Sequence, residues 1–470
     1  MYEIAKKRYS DSNIPIDLGW DIDDDGEYKL EIPKISDEEK NLILKIESQF
    51  RDKTGEHEIK DREESQELLK NLILENASRE NIYLDSEQIE YLSKIATMHI
   101  YGFCFIDNLL QDKDIEEISI IGVNKPAYVY LKNKGWQKVN ACFTNERAIT
   151  DVVNKMAHSL GRRITLQNPR IDAMLPNGDR LHASLPPISN GEITIRRFRE
   201  VPYSPAELCQ NNTITERAMA YLSLLMQGDK SIVIGGNTAS GKTTTLNALF
   251  SFVPLNDRIL ITEETPEINI PHKHSLRLVS NKEMGISLQT LVYDSFRMRP
   301  DRIIVGEVRN KEEANALFDV LLAGQARGSY ATMHAQSANE ALQRLKTFGI
   351  DDIDLFSISC IVIQKRMIKY DKKIKRNFEI RRITEILELV GTKTNLAFIY
   401  DHKTDSLIYK KSLIINEIGD ELGLSKRDIE EELAARVKLI RKAPKEDKTN
   451  YKNFFEKIQK QLYGLDYERS

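Results

Sequence analysis

The residues Gly236-Asn237-Thr238-Ala239-Ser240-Gly241-Lys242-Thr243 fit the pattern G-x-x-x-x-G-K-[ST], and nothing else in the 470-residue chain constrains it as tightly. A backbone that wraps an anion needs glycine where a side chain would collide, and its N–H groups then point inward. Such a loop works between a strand that delivers it and a helix whose N-terminus faces the anion. The flanks supply both, since Ser231 to Ile234 reads as a strand and Thr243 to Phe250 as a helix. In this setting Lys242 reaches the β- and γ-phosphates and the Thr243 hydroxyl binds Mg²⁺, with Thr244 the next nucleotide-binding position.

Acids follow at strand ends. Arg302-Ile303-Ile304-Val305-Gly306-Glu307 is an apolar strand ending in a carboxylate, where a P-loop fold places an acid beside Mg²⁺. Ile259-Leu260-Ile261-Thr262-Glu263-Glu264 is another. Paired carboxylates there suit a general base with a neighbouring metal or water contact, or two solvated turn residues. His334, in Ala331-Thr332-Met333-His334-Ala335, is open to two readings: a structural hydrogen-bonder or a sensor of the γ-phosphate. Arginines gather at Arg297, Arg299, Arg302 and Arg309, and again at Arg196, Arg197 and Arg199. They serve solubility or clamp phosphate, including from a neighbouring subunit.

Beyond the prolines of Val201-Pro202-Tyr203-Ser204-Pro205, strands and helices alternate, which is the signature of an α/β fold. Residues 112–199 instead show short strands and turns, with a hairpin signal around Gly122 to Pro126 and a helix ending near Gly161. Upstream, Ser36-Asp37-Glu38-Glu39 is a capping box that opens the first of three amphipathic helices. The acidic run Asp21 to Gly26 begins like an EF-hand loop but has Ile32 where the closing Glu belongs, so it reads as a solvated turn. The expected divisions are 1–84 (acidic leader and helices), 85–200 (N-terminal domain with its leading helix), 201–206 (linker), 207–397 (ATPase domain) and 398–470 (β unit, helices and basic tail). Between Lys365 and Arg382 nine positions are Lys or Arg. They read as a solvated hairpin in preference to a membrane or partner contact.

A formal net charge of −4 gives no bulk electrostatic case for nucleic acid. Four cysteines far apart suit a reducing cytoplasmic setting better than a disulfide framework or a zinc site. No segment holds the roughly 18 apolar residues of a spanning helix, so membrane association is expected to be peripheral or through a partner.

The phosphate loop, Thr262-Glu263-Glu264-Thr265-Pro266-Glu267, Arg297 to Arg309 with its Gly306-Glu307, and Ala331 to Ala335 stand in one order. In that order they resemble the Asp box, arginine segment, unusual Walker B and His box of the type II and type IV secretion ATPase superfamily. Gly161-Arg162-Arg163-Ile164 and Leu175 to Arg180 are similar to that family's PAS-like N-terminal domain. Gly122 to Tyr130, Phe398-Ile399-Tyr400-Asp401 and Ser412 look most like its archaeal branch, which drives pilus assembly or archaellum rotation. The resemblance implies a RecA-like P-loop ATPase core behind a PAS-like α+β domain and a helical leader. It also implies ATP and Mg²⁺ as cofactors, and a homohexamer at the cytoplasmic face of the membrane that works on a polytopic platform protein and a pilin-like or archaellin filament.

By position, Glu263 would be the base for water, and Glu307 would act through Mg²⁺ and water. His334 would couple phosphate state to domain movement, and Arg180, Arg196 and Arg197 would reach the nucleotide. Glu264 stands where Asp is usual, which puts its role in question. Asn237 replaces a glycine and is expected to tolerate left-handed geometry. Two other readings carry the same loop: a RecA-like nucleic-acid motor, which the acidic pI and the lack of an aromatic stacking row disfavour, and a nucleotide-gated scaffold with little hydrolysis.

Overall fold

The computed structural model describes residues 18–22, 26–32, 36–56, 62–79, 82–132, 134–199, 201–281, 284–373, 375–443 and 451–465. The acidic positions 23–25 and part of the basic C-terminal tail lie outside them. The chain forms two units, Met1–Phe198 and Arg199–Ser470.

In the first unit, alternating apolar residues build strands with one buried face, as in Pro126–Leu131, where Ala127, Val129 and Leu131 point inward. The strands are β1 (Trp20–Ile22), β2 (Ile115–Ile120), β3 (Pro126–Leu131), β4 (Gly135–Phe143), β5 (Arg170–Met174), β6 (Arg180–Ser184) and β7 (Glu192–Arg196). They pair antiparallel in the order β1-β4-β3-β2-β7-β6-β5. The helix Glu146–His158 buries Ile149, Val152, Val153 and Met156 in the same core. Its start is fixed where the Asn145 side chain accepts from the Ala148 N–H and caps it.

The leader is not a separate layer. Its Trp20–Ile22 is an edge strand on β4, and its helices form a small core around Ile46, Phe50 and Leu72 together with Leu92 of the next helix. Ile43 and Ile95 are buried with the sheet, so they tie that core to it. The capping box forms as read, with the Ser36 N–H donating to Glu39 Oε2 at 2.8 Å.

The second unit has one sheet of nine strands. They are β8 (Ile232–Gly236), β9 (Ile259–Glu263), β10 (Ser275–Val279), β11 (Arg302–Val308), β12 (Gly328–His334), β13 (Cys360–Asp371), β14 (Arg376–Val390), β15 (Lys393–Asp401) and β16 (Ser406–Tyr409). The order is β10-β9-β11-β12-β8-β13-β14-β15-β16; the first six run parallel and the rest antiparallel. Near-continuous apolar runs suit strands covered on both faces. Ile232, Ile234, Ile259, Ile261 and Ile304 enter one core, and Val233, Leu260, Ile303 and Val305 enter the other.

Two expected boundaries shift. The helix Pro205–Gln210 begins at the second proline of the linker, because the first helical position needs no N–H donor; Ser204 caps it. The division at 397/398 falls inside β15, which continues the sheet, and Ile418, Ile429, Leu433 and Phe454 of the C-terminal helices join its core. Ser412 belongs to this junction. It donates to the buried Glu388 carboxylate, which also accepts from Tyr221 Oη at 2.6 Å and the Leu413 N–H at 2.7 Å.

Arg302 corrects another expectation. It is fully buried at the start of β11, where it pairs with Asp229, with Asp257 at 2.9 Å and with Tyr330 Oη at 3.0 Å. A guanidinium so engaged at the N-terminal end of the strand staples the sheet and does not clamp phosphate. Arg302→Met removes the buried partner of Asp257 and of the partly exposed Asp229, so we expect it to destabilise the chain by about 3 kcal/mol, read as a lower urea midpoint.

Candidate functional site

The parallel strands β9, β11, β12 and β8 all end on one edge, and each delivers a polar group there. His334 lies in register with Gly236, and Val305 with Thr262. The phosphate loop closes tightly: Ser240 N–H donates to Asn237 O at 3.2 Å, and the helix Lys242–Leu249 starts from Gly241 at φ 94°. The left-handed non-glycine of the loop is Ala239, at φ 58°, and not Asn237. Asn237 instead joins β13, donating to Arg366 O at 3.0 Å and accepting from Arg366 N–H at 2.8 Å.

Gly306 accounts for the unusual Gly-Glu pair. The pairing of β11 with β12 shifts register between Val305 and Val308, a bulge that re-aims Glu307. A Cβ on Gly306 would lie 3.0 Å from Glu263 Cγ and 3.2 Å from Thr262 O. A side chain there would press on β9, and glycine avoids that crowding.

Glu307 is held from three sides. His334 Nε2 is 3.0 Å from its Oε1 and Lys242 Nζ 3.7 Å, while Arg309 Nε donates to Oε2 at 2.7 Å. Burial pushes its carboxyl up, but Arg309, then Lys242 and His334, outweigh this and hold it below the usual range. Burial and then the Lys242 charge outweigh the pull of Glu307 and hold the His334 imidazole below its ordinary value too, which favours its neutral form. Arg309 also pairs with Glu264, so the longer acid at that position has a defined partner.

Glu263 is almost fully buried at the end of β9. Its Oε1 accepts from the N–H groups of Glu267 and Ile268, both at 2.8 Å. Its Oε2 has Arg277 Nε at 3.1 Å but no aligned hydrogen bond. Burial dominates and raises the carboxyl to about 7 despite these favourable neighbours. A carboxylate of that pKa with an open lone pair has the properties of a general base.

Three participants escaped the sequence reading. Gln364, buried in β13 and in register with Gly236, accepts from Thr245 Oγ1 at 2.6 Å. Its carbonyl oxygen would lie 2.2 Å from a Cβ on Gly236, and its Nε2 2.9 Å from one on Gly241, so Gln364 shares responsibility for both glycines. The available signal was its place as the first polar residue after Ile361-Val362-Ile363. Glu267 accepts from the Thr243 hydroxyl at 3.2 Å; it lay within the quoted Asp box with no role assigned. Arg381 of the basic hairpin donates to Ala239 O at 3.0 Å and so rests on the loop. Lys369 and Arg382 of the same hairpin pair with Asp405. We expect Gln364→Ala to raise the KM for ATP about tenfold through loss of loop positioning, measured by steady-state kinetics.

Arg180, Arg196 and Arg197 belong to the first unit. Arg180 pairs with Asp172 at 2.9 Å, Arg197 Nε lies 3.5 Å from Asp179, and Arg196 sits opposite Arg180 in the β6–β7 ladder.

The loop fits a nucleotide phosphate chain. Ser240 Oγ is buried within it with no hydrogen-bond partner, and the buried Lys242 ammonium stands above the loop's own Gly236 carbonyl. Thr243 and Glu307 offer oxygen donors of the type Mg²⁺ takes. A family model described as type II/IV secretion system protein matches residues 104–460. The chain belongs to that family.

Three relatives illustrate the match. An uncharacterized protein of Methanocaldococcus jannaschii is 29% identical over 375 residues, 76% of this chain and 67% of that one. The type IV secretion system protein VirB11 of Bartonella quintana is 26% identical over 326 residues, covering 59% and 90%. The crystal structure of the Legionella pneumophila ATPase DotB aligns over 78% of this chain and 93% of its own, at 20% identity and a TM-score of 0.44. Among the described residues of this secretion-family chain, no helix is long and apolar enough to cross a membrane.

Proposed function

We propose that the chain is an ATP-hydrolysing motor. The observation that carries this reading is the convergence of Lys242, Thr243, Glu263, Glu307 and His334 on one sheet edge. In it Lys242 and the loop N–H groups bind the phosphates, and Thr243 and Glu307 hold Mg²⁺, Glu307 through water. The metal supplies charge neutralisation at the γ-phosphate. Glu263 takes a proton from the attacking water, and neutral His334 keeps Glu307 in place. Arg180, Arg196 and Arg197 are proposed nucleotide contacts on the resemblance alone.

The motor acts as a homohexamer at the cytoplasmic face of a membrane, driving a pilus, an archaellum or secretion through a polytopic platform protein. Family membership supports the secretion-motor part of this assignment, and the archaeal source of one relative fits the archaeal branch that the sequence resembles. The test is Mg²⁺-dependent phosphate release by the purified chain, with its mass followed by sedimentation. We expect turnover that rises with assembly and is indifferent to added DNA or RNA. Absence of Mg²⁺-dependent turnover in assembled protein would sink the motor reading, and steep stimulation by nucleic acid would redirect it.

A further inference from the structure

In P-loop proteins generally, the loop Ser/Thr hydroxyl binds Mg²⁺ alongside a carboxylate at the end of a neighbouring strand. Here the strand-end acid, Glu307, is committed to Arg309, His334 and Lys242. The Thr243 hydroxyl donates elsewhere, to Glu267 Oε2 at 3.2 Å. Glu267 lies four residues beyond Glu263 on a turn that folds back, and its own N–H donates to Glu263 Oε1 at 2.8 Å. The turn is anchored again where the Ile268 N–H meets the same oxygen and Asn247 Nδ2 approaches Glu267 O at 3.4 Å.

We propose that Glu267 is a positioning residue for the metal: it accepts the hydrogen bond of the Thr243 hydroxyl and so turns the oxygen lone pairs toward Mg²⁺. A hydroxyl can ligate a cation with a lone pair only when its hydrogen points away, and an anionic acceptor fixes that rotamer and raises the oxygen's donor strength. The same residue touches the base through its backbone. Glu267 thus joins the metal ligand and Glu263 by one short turn, and a disturbance at either end reaches the other. This inference rests on the ATP-binding reading above and assigns within it a role that neither Glu263 nor Glu307 fills.

The test uses the full chain, a fluorescent non-hydrolysable ATP analogue and a Mg²⁺ titration, so the readout is binding and not turnover. For Glu267→Ala we expect the Mg²⁺ midpoint to rise 10–100-fold, the usual cost of losing a group behind a metal ligand. Affinity for the analogue in EDTA should stay within about twofold. Glu267→Gln, which keeps an acceptor and the backbone but loses the charge, should fall between. An unchanged Mg²⁺ midpoint in Glu267→Ala would overturn the proposal. So would an equal loss of metal-free affinity, because that describes a collapsed loop. Wild-type protein that binds no analogue in any Mg²⁺ concentration would remove the ATP reading itself.

Discussion

Lys242→Ala should lower ATP turnover by about 10³-fold, the scale of losing a preorganised charge at a developing negative centre. The magnitude follows from where the ammonium sits. Lys242 is buried, with Glu307 Oε1 at 3.7 Å and the Gly236 carbonyl at 3.4 Å, so little solvent screens it from whatever enters the loop. Its removal has a second effect, because Glu307 then keeps only Arg309 and His334 as positive or hydrogen-bonding neighbours. The carboxyl rises toward its ordinary range, and His334, relieved of the Lys242 charge, becomes easier to protonate. We therefore expect the variant to lose nucleotide affinity and to show a His334 imidazole signal that titrates at higher pH by NMR. Lys242→Arg should not restore activity, since a planar fork cannot replace a compact ammonium in so tight a loop. Retention of wild-type turnover in Lys242→Ala would leave the loop without its function.

The loop and the strand-end acids were legible because their chemistry dictates residue type at fixed spacing. A phosphate cradle needs Gly236 and Gly241, and downstream of such a loop an apolar run ending in Glu307 reads as a buried strand presenting an acid. The α/β alternation was legible for the same reason, since strands covered on both faces must be apolar throughout. Contacts made across long separations were not. Gln364 meets Gly236 only because β13 pairs with β8, and nothing local in Ile363-Gln364-Lys365 announces that neighbour. Asn237 looked like a conformational substitution for glycine, whereas its amide pairs with the backbone at Arg366. Arg302 looked like its arginine neighbours; its burial depends on Asp229 and Asp257, far off in sequence. The division at 397/398 failed because composition changes there while the hydrogen-bond ladder does not.

Glu263→Gln should cost about 10²–10⁴-fold in turnover, the range for losing a general base, while nucleotide affinity holds. The isosteric amide keeps its oxygen for the Glu267 and Ile268 N–H groups, so the turn should survive. The pH dependence separates this role from a structural one. Burial lifts the wild-type carboxyl to about 7, so the ionised base accumulates, and kcat/KM rises, as pH increases through that value. Stability should move the opposite way. The folded chain holds a proton that the unfolded chain releases at the ordinary carboxylate pKa. The stabilisation is therefore complete below that pKa and is lost as pH rises through about 7. Spread over that interval the loss is on the order of 3 kcal/mol. Glutamine does not titrate, so thermal unfolding of Glu263→Gln should lack this decline and should exceed wild type at pH 8. A variant that falls in parallel with wild type from pH 5 to 8 would place the titrating group elsewhere. The burial that makes Glu263 a base near neutrality is the same burial that costs the fold stability there, so the two measurements test one physical cause from opposite sides.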